Sequence, residues 1–116
     1  MSVFRFRKTD EVWSLRRSIV LDMIDWWIES AGSRPFLIKF KQSYDYGYNH
    51  GDLTEVADAD KAELRDLVKL MLKSGYENQL RLDPVATSQV RESLTELQRL
   101  LNADLEGTPL YHRETD

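Results

Sequence analysis

The chain contains no cysteine. It therefore has no disulfide, thiolate metal site or cysteine nucleophile, and it suits a reducing compartment, with the cytoplasm as the expected setting. Proline and glycine are sparse, three and five among 116 residues, and no stretch is rich in either or in serine, which argues against extensive disorder. Long apolar runs are also missing. The most apolar, Ile19 to Ile28, is broken by Asp22 and Asp25 and is far shorter than the roughly 20 residues a membrane-spanning helix needs. The opening MSVFRFRKTDEVW has early positive charge but neither an uninterrupted apolar core nor a small-residue cleavage site, so no secretory signal is expected there. Basic residues are not in excess: 16 Lys and Arg against 20 Asp and Glu leave a formal charge of −4. That balance works against general nucleic-acid binding, which needs a basic surface, and favours a basic partner.

What is present suits one soluble domain, with 41% hydrophobic and 31% charged residues. The expected division is a domain over 1–105 and a C-terminal tail over 106–116, ordered where Leu110 and Tyr111 dock.

Hydrophobic periodicity supplies the elements. Phe4 and Phe6 alternate with Val3, Arg5 and Arg7, predicting a strand over 2–7. Beyond a cap at Thr9 or Asp10, Val12, Leu15, Ile19, Met23 and Trp26, flanked by Trp13, Val20, Ile24 and Trp27, recur at helical spacing up to Gly32. Asp22, Asp25 and Glu29 form an acidic ridge opposite, Trp13 and Trp27 belong to the core, Trp26 lies nearer the polar edge, and Arg16 falls within the apolar face, where it should pair with an acid. Residues 35–42 alternate Phe36, Ile38 and Phe40 with Leu37, Lys39 and Lys41, predicting a second strand, and a third is expected within 43–48 or 52–56 with NHGD as a turn.

Asp60 and Glu63 make a capping box for a helix buried through Leu64, Leu67, Val68 and Met71 and ended by Gly75. NQLRL reads as an outer or last strand, and Asp83 before Pro84 caps a final helix buried through Val90, Leu94, Leu97 and Leu101 that fades near Asn102. The expected fold is α+β: a three- to four-stranded antiparallel or mixed sheet with about three helices, in the order β-α-β-β-α-β-α. Its core is Trp13, Ile19, Val20, Met23, Ile24, Trp27, Ile38, Leu64, Leu67, Met71, Leu94, Leu97 and Leu101.

No catalytic or cofactor signature is present: no phosphate loop, nucleophile elbow or dinucleotide fingerprint. No cofactor is expected. His50 and His112 lie too far apart for a zinc pair, and DADKAE, beginning at Asp58, lacks the third oxygen ligand and the turn glycine of a calcium loop, so no metal is expected either. His50 with Asp45 or Asp52 is the one arrangement suited to acid–base hydrolysis. Arg5, Arg7, Lys39 and Lys41 would form a basic stripe for nucleic acid if both strands share a sheet face. Together these residues define an alternative function, a small nucleic-acid-associated protein or hydrolase.

The leading signal is SYDYGYNHGDLTEVADAD, residues 43–60, with three tyrosines, five acids and no lysine or arginine. Tyrosine offers contact area at low entropic cost and clustered carboxylates steer a basic partner. Asp45, Tyr46, Tyr48, His50, Asp52, Glu55 and Asp58 are the candidate partner-binding residues; the competing reading is a tyrosine-rich hairpin with Tyr44 and Tyr46 facing the core. A small, acidic, cysteine-free domain with such an acidic-aromatic segment resembles the immunity proteins that bacteria encode beside polymorphic or contact-dependent growth-inhibition toxins. The resemblance implies a non-enzymatic cytoplasmic inhibitor that binds a toxin's catalytic domain, often a basic nuclease.

Overall fold

Ser2, Phe4 and Phe6 point inward and Arg5 and Arg7 outward, so the first strand, β1 (Ser2–Arg5), forms where alternation requires it. In this computed structural model, which describes residues 1–8, 10–32, 34–48 and 50–106, the chain then turns back instead of entering a helix. Val12–Leu15 is a strand, β2, antiparallel to β1, and α1 begins only at Arg17 and runs to Ala31. The single helix expected from Asp10 onward is thus divided. Over four residues, VWSL satisfies a helical stripe and a strand alternation equally well, and backbone pairing with β1 decides between them. Thr9, one of the two expected caps, lies outside the described residues. Arg16 holds an extended φ/ψ of −55° and 135° at the head of α1 and is exposed, not set in the apolar face. Its neighbour Arg17 is the inward-reaching cation, donating to the Tyr44 carbonyl at 2.8 Å and lying 5.7 Å from the Tyr44 ring centroid.

The second correction matters most for the site. Residues 35–42 are not a strand but belong to a helix, α2 (Pro35–Asp45). Pro35, whose missing N–H costs nothing in a first turn, opens it. Phe36, Leu37, Phe40 and Tyr44 are the buried residues, and their spacing is helical. Ile38 is consequently only half-buried and leaves the expected core, while Lys39 and Lys41 diverge by about 200° around the axis.

The third strand, β3 (His50–Asp52), occupies most of the expected NHGD turn; the turn itself falls at Tyr46–Gly47, with Gly47 at φ 93°, and Asn49 lies outside the described residues. β3 pairs parallel to β1, giving a mixed three-stranded sheet in the order β2-β1-β3. Phe4, Trp13 and Gly51 form one cross-strand row facing the helices, whereas Val3, Ser14 and His50, then Arg5, Val12 and Asp52, form rows on the opposite face.

Helix α3 (Asp58–Ser74) starts two residues before the expected cap. Ala57 precedes it without a side-chain cap, Asp58 and Asp60 place negative charge in its first turn, and Glu63 accepts from Arg34 at 2.9 Å instead of closing a capping box. Its end is as expected, with Gly75 in the left-handed region at φ 73°. NQLRL is not a strand: α4 (Tyr76–Gln79) buries Tyr76 and Glu77 by one helical turn and is followed by a turn at Leu80–Arg81. Asp83 does cap α5 (Pro84–Glu106), its carboxylate accepting the Ala86 N–H at 2.9 Å. α5 passes Asn102 because Ala103 and Asp104 are buried, and it includes Glu106; the rest of the expected tail, with Leu110 and Tyr111, lies outside the described residues.

The fold is therefore α+β, with three strands and five helices among the described residues in the order β-β-α-α-β-α-α-α, in place of the order expected. The core joins the inner sheet face to α1, α2, α3 and α5; every expected core residue except Ile38 is buried in it. Both buried indole N–H groups have partners: that of Trp13 donates to the Ser93 carbonyl at 2.7 Å and that of Trp27 to Met71 Sδ at 3.1 Å. Among the described residues, no helix is long and apolar enough to cross a membrane.

Candidate partner-binding surface

The tyrosines that alternate in sequence take three different roles. Tyr44, near the C-terminal end of α2, is 1% exposed and hydrogen-bonds Ser2 Oγ, and its hydroxyl pKa is raised by burial. Tyr46, at the turn, is 80% exposed, and Tyr48, leading into β3, is 56% exposed. Of the two tyrosines for which a core position was weighed, only Tyr44 takes it. Helix α2 ends at Asp45, whose exposed carboxylate faces the negative end of the helix dipole, an arrangement with no stabilising value locally.

From this turn β3 carries His50 and Asp52 out on the open face of the sheet, and the Tyr48 ring lies 5.8 Å from the His50 ring. Asp52 Oδ1 accepts both the hydroxyl and the N–H of Thr54, at 2.5 and 3.0 Å. These two bonds, aided by nearby His50 and Arg5, hold the Asp52 carboxyl below the ordinary carboxylate range. A carboxyl with a depressed folded-state pKa stabilises the fold above its unfolded pKa, and that contribution disappears as pH falls through the folded value. Thr54→Val should accordingly move the Asp52 pKa up toward the ordinary range in a side-chain NMR titration. An unmoved titration would remove the Thr54 hydroxyl as a cause.

Beside β3 lies a groove of about 430 Å³. Phe36 and Phe40 from α2 and Val56 from the β3–α3 connection give it an apolar lining, and Asp52, Glu55, Asp60 and Lys39 supply its charged groups. The candidate residues thus divide. Tyr48, His50 and Asp52 are brought together, Asp52 and Glu55 border the groove, Asp45 and Tyr46 sit where α2 enters the turn, and Asp58 is drawn into ion pairs with Arg7 at 2.9 Å and Lys61 at 3.5 Å.

The expected basic stripe does not assemble, because α2 is a helix. Lys41 pairs with Asp25 at 2.5 Å, and that hydrogen bond raises its pKa; Arg7 pairs with Asp58, Lys39 borders the groove, and Arg5 lies on the outer sheet face. On the acidic ridge, Asp25 is bound by Lys41, and Asp22 accepts the Tyr76 hydroxyl at 2.6 Å. Burial and that bond push the Tyr76 pKa up. Among the described residues, no group of three or more His, Asp or Glu side chains is arranged to hold a metal ion. His112 lies outside them.

The apolar lining of the groove was missed in the sequence because a helix was read as a strand. Its signal was nevertheless there, in Phe36, Leu37, Phe40 and Tyr44 at helical spacing behind a proline. No family model, curated protein or solved structure matches the chain.

Proposed function

We propose that this chain is a non-enzymatic, cytoplasmic protein-binding inhibitor of the immunity type, which neutralises a basic toxin catalytic domain through the surface running from Asp45 to Glu55. The observation that carries this reading is the exposure of Tyr46 and Tyr48, 80% and 56%, within a segment rich in acids and without lysine or arginine. Large rigid side chains left in water beside clustered carboxylates match the anchors and rim of an interface that selects a basic partner. His50 and Asp52 extend that surface over the open sheet face.

The test is binding kinetics against the toxin domain encoded beside this chain, together with rescue of cells that express that domain. Tyr46→Ala or Tyr48→Ala should cost about 2 kcal/mol of binding, chiefly through faster dissociation. Neutralising Asp45, Asp52 and Glu55 should slow association most at low salt, because the Debye length is about 10 Å at 0.1 M and about 3 Å at 1 M. Folded variants that bind at wild-type rates in both salts would remove this surface from the interface. Hydrolysis of RNA or DNA by the isolated protein, lost in folded His50→Ala, would replace the inhibitor reading with the hydrolase one.

A further inference from the structure

Residues at the groove beside β3 come from α2, β3, the β3–α3 connection and the start of α3, and β1 contributes none to it. The groove therefore lies along the free edge of the sheet. Leu53 donates its N–H to the Arg5 carbonyl at 2.9 Å, and in a parallel ladder alternate residues turn their main chain toward the neighbouring strand. The main-chain groups of His50 and Asp52 are consequently directed away from β1, at an edge only three residues long. An unpaired strand edge next to a side-chain pocket is the geometry that accepts an added strand, where main-chain bonds bind and the pocket selects.

The charge of the groove selects further. Its lining carries three carboxylates and one lysine ammonium beside aromatic and aliphatic side chains. Neighbouring acids have cations of their own, Asp58 with Arg7 and Glu63 with Arg34. Among the described residues, Glu55 and Asp60 have no ion-pair partner, and the Thr54 bonds favour the charged form of Asp52. At about 430 Å³ the space lies toward the lower end of the range of ligand pockets, about 300–1,000 Å³.

We infer that this groove is a docking slot for an extended segment of a protein partner, laid along β3 with an apolar side chain over Phe36, Phe40 and Val56 and a lysine or arginine against Asp52, Glu55 and Asp60. This deepens the inhibitor reading and rests on it for the occupant being a protein. A basic segment gains from the excess of carboxylates, an acidic one is repelled by it, and an apolar side chain removes the apolar lining from water.

The experiment is an amide NMR titration of the full chain with the blocked peptide Lys-Val-Phe-Val-Lys, with Glu-Val-Phe-Val-Glu and with Lys-Val-Gly-Val-Lys. The first should saturate, with shifts confined to α2, β3 and residues 53–60, and the other two should bind at least about tenfold more weakly, since each loses one of the two selecting terms. The combined variant Asp52→Asn, Glu55→Gln and Asp60→Asn keeps side-chain shape and should lose the preference for the basic peptide. Saturable shifts elsewhere, equal binding of the three peptides, or no saturation would overturn the slot. Failure of the toxin domain to bind, with the basic peptide still filling the groove, would remove the immunity reading and leave the slot in place; toxin binding with an unoccupied groove would do the reverse.

Discussion

Asp104→Ala is expected to lower the free energy of unfolding by about 3–5 kcal/mol, the cost of leaving one member of a buried ion pair without its partner. Lys61 and Asp104 are both fully buried, with Nζ and Oδ2 2.7 Å apart. The second oxygen of Asp104 accepts the Lys8 N–H at 2.7 Å, so one carboxylate ties the last turns of α5 both to α3 and to the connection between β1 and β2. Its removal strands an ammonium and a backbone donor together. Asp58, 3.5 Å from Lys61 and more than half exposed, is too well solvated to replace it. Two further variants separate pair loss from local disruption in denaturant unfolding. Asp58→Ala should cost less than about 1 kcal/mol, as exposed pairs do. Lys61→Met with Asp104→Leu should recover the part of the loss that comes from the stranded ammonium, because an apolar pair of similar volume escapes the desolvation penalty, but not the part that comes from the Lys8 N–H, which still lacks its acceptor. An Asp104→Ala protein within about 1 kcal/mol of the parent would show that the pair does not hold these elements together.

Phe4→Ala should cost a comparable amount, about 3–5 kcal/mol, through lost burial and the cavity left behind. The Phe4 ring lies 4.9 Å from Trp13, 5.6 Å from Phe40 and 6.5 Å from Trp27, centroid to centroid, and so joins the sheet to α1 and α2. It also lies against Gly51: a Cβ at that position would be 2.8 Å from two Phe4 ring carbons. Gly51 is not in the left-handed region, so the requirement for glycine is steric and not conformational. Gly51→Ala should therefore cost about 1–3 kcal/mol in the parent, as overpacking does, and almost nothing when Phe4 is already alanine. Strict additivity would mean that the ring moves aside and the two positions are uncoupled. Because Gly51 stands between His50 and Asp52, the same contact sets the depth at which β3 presents the candidate surface.

Much of the helical core was legible because its elements are long. Leu64, Leu67, Val68 and Met71 on α3 and Val90, Leu94, Leu97 and Leu101 on α5 repeat one period through several turns, and no strand can match that. Gly75 and Asp83 were legible for a local reason, a left-handed backbone and a capping oxygen, and neither depends on the rest of the chain. Even the buried pair left a trace. Lys61 precedes Leu64 and Val68 by three and seven residues, and Asp104 follows Leu97 by seven and Leu101 by three, so both charges fall on apolar stripes. The sequence does not reveal that they meet.

The short elements behaved differently. VWSL, PFLIKFKQ and NQLRL alternate over windows in which helical and strand periods overlap, so local pattern could not assign them. The fold assigned them through distant partners: β1 supplied backbone bonds to Val12–Leu15, the inner sheet face received Phe40 and Tyr44 as one helical stripe, and the core took Tyr76 in a single turn. The candidate surface shows the same division. Its composition, acids and tyrosines without a lysine or arginine between residues 43 and 60, was determined by the sequence. Which tyrosines are exposed, that His50 and Asp52 share a sheet face, and that a groove opens beside them were decided only by tertiary structure, because they depend on α2 packing Tyr44 against Ser2 and on β3 pairing with a strand more than forty residues earlier in the chain.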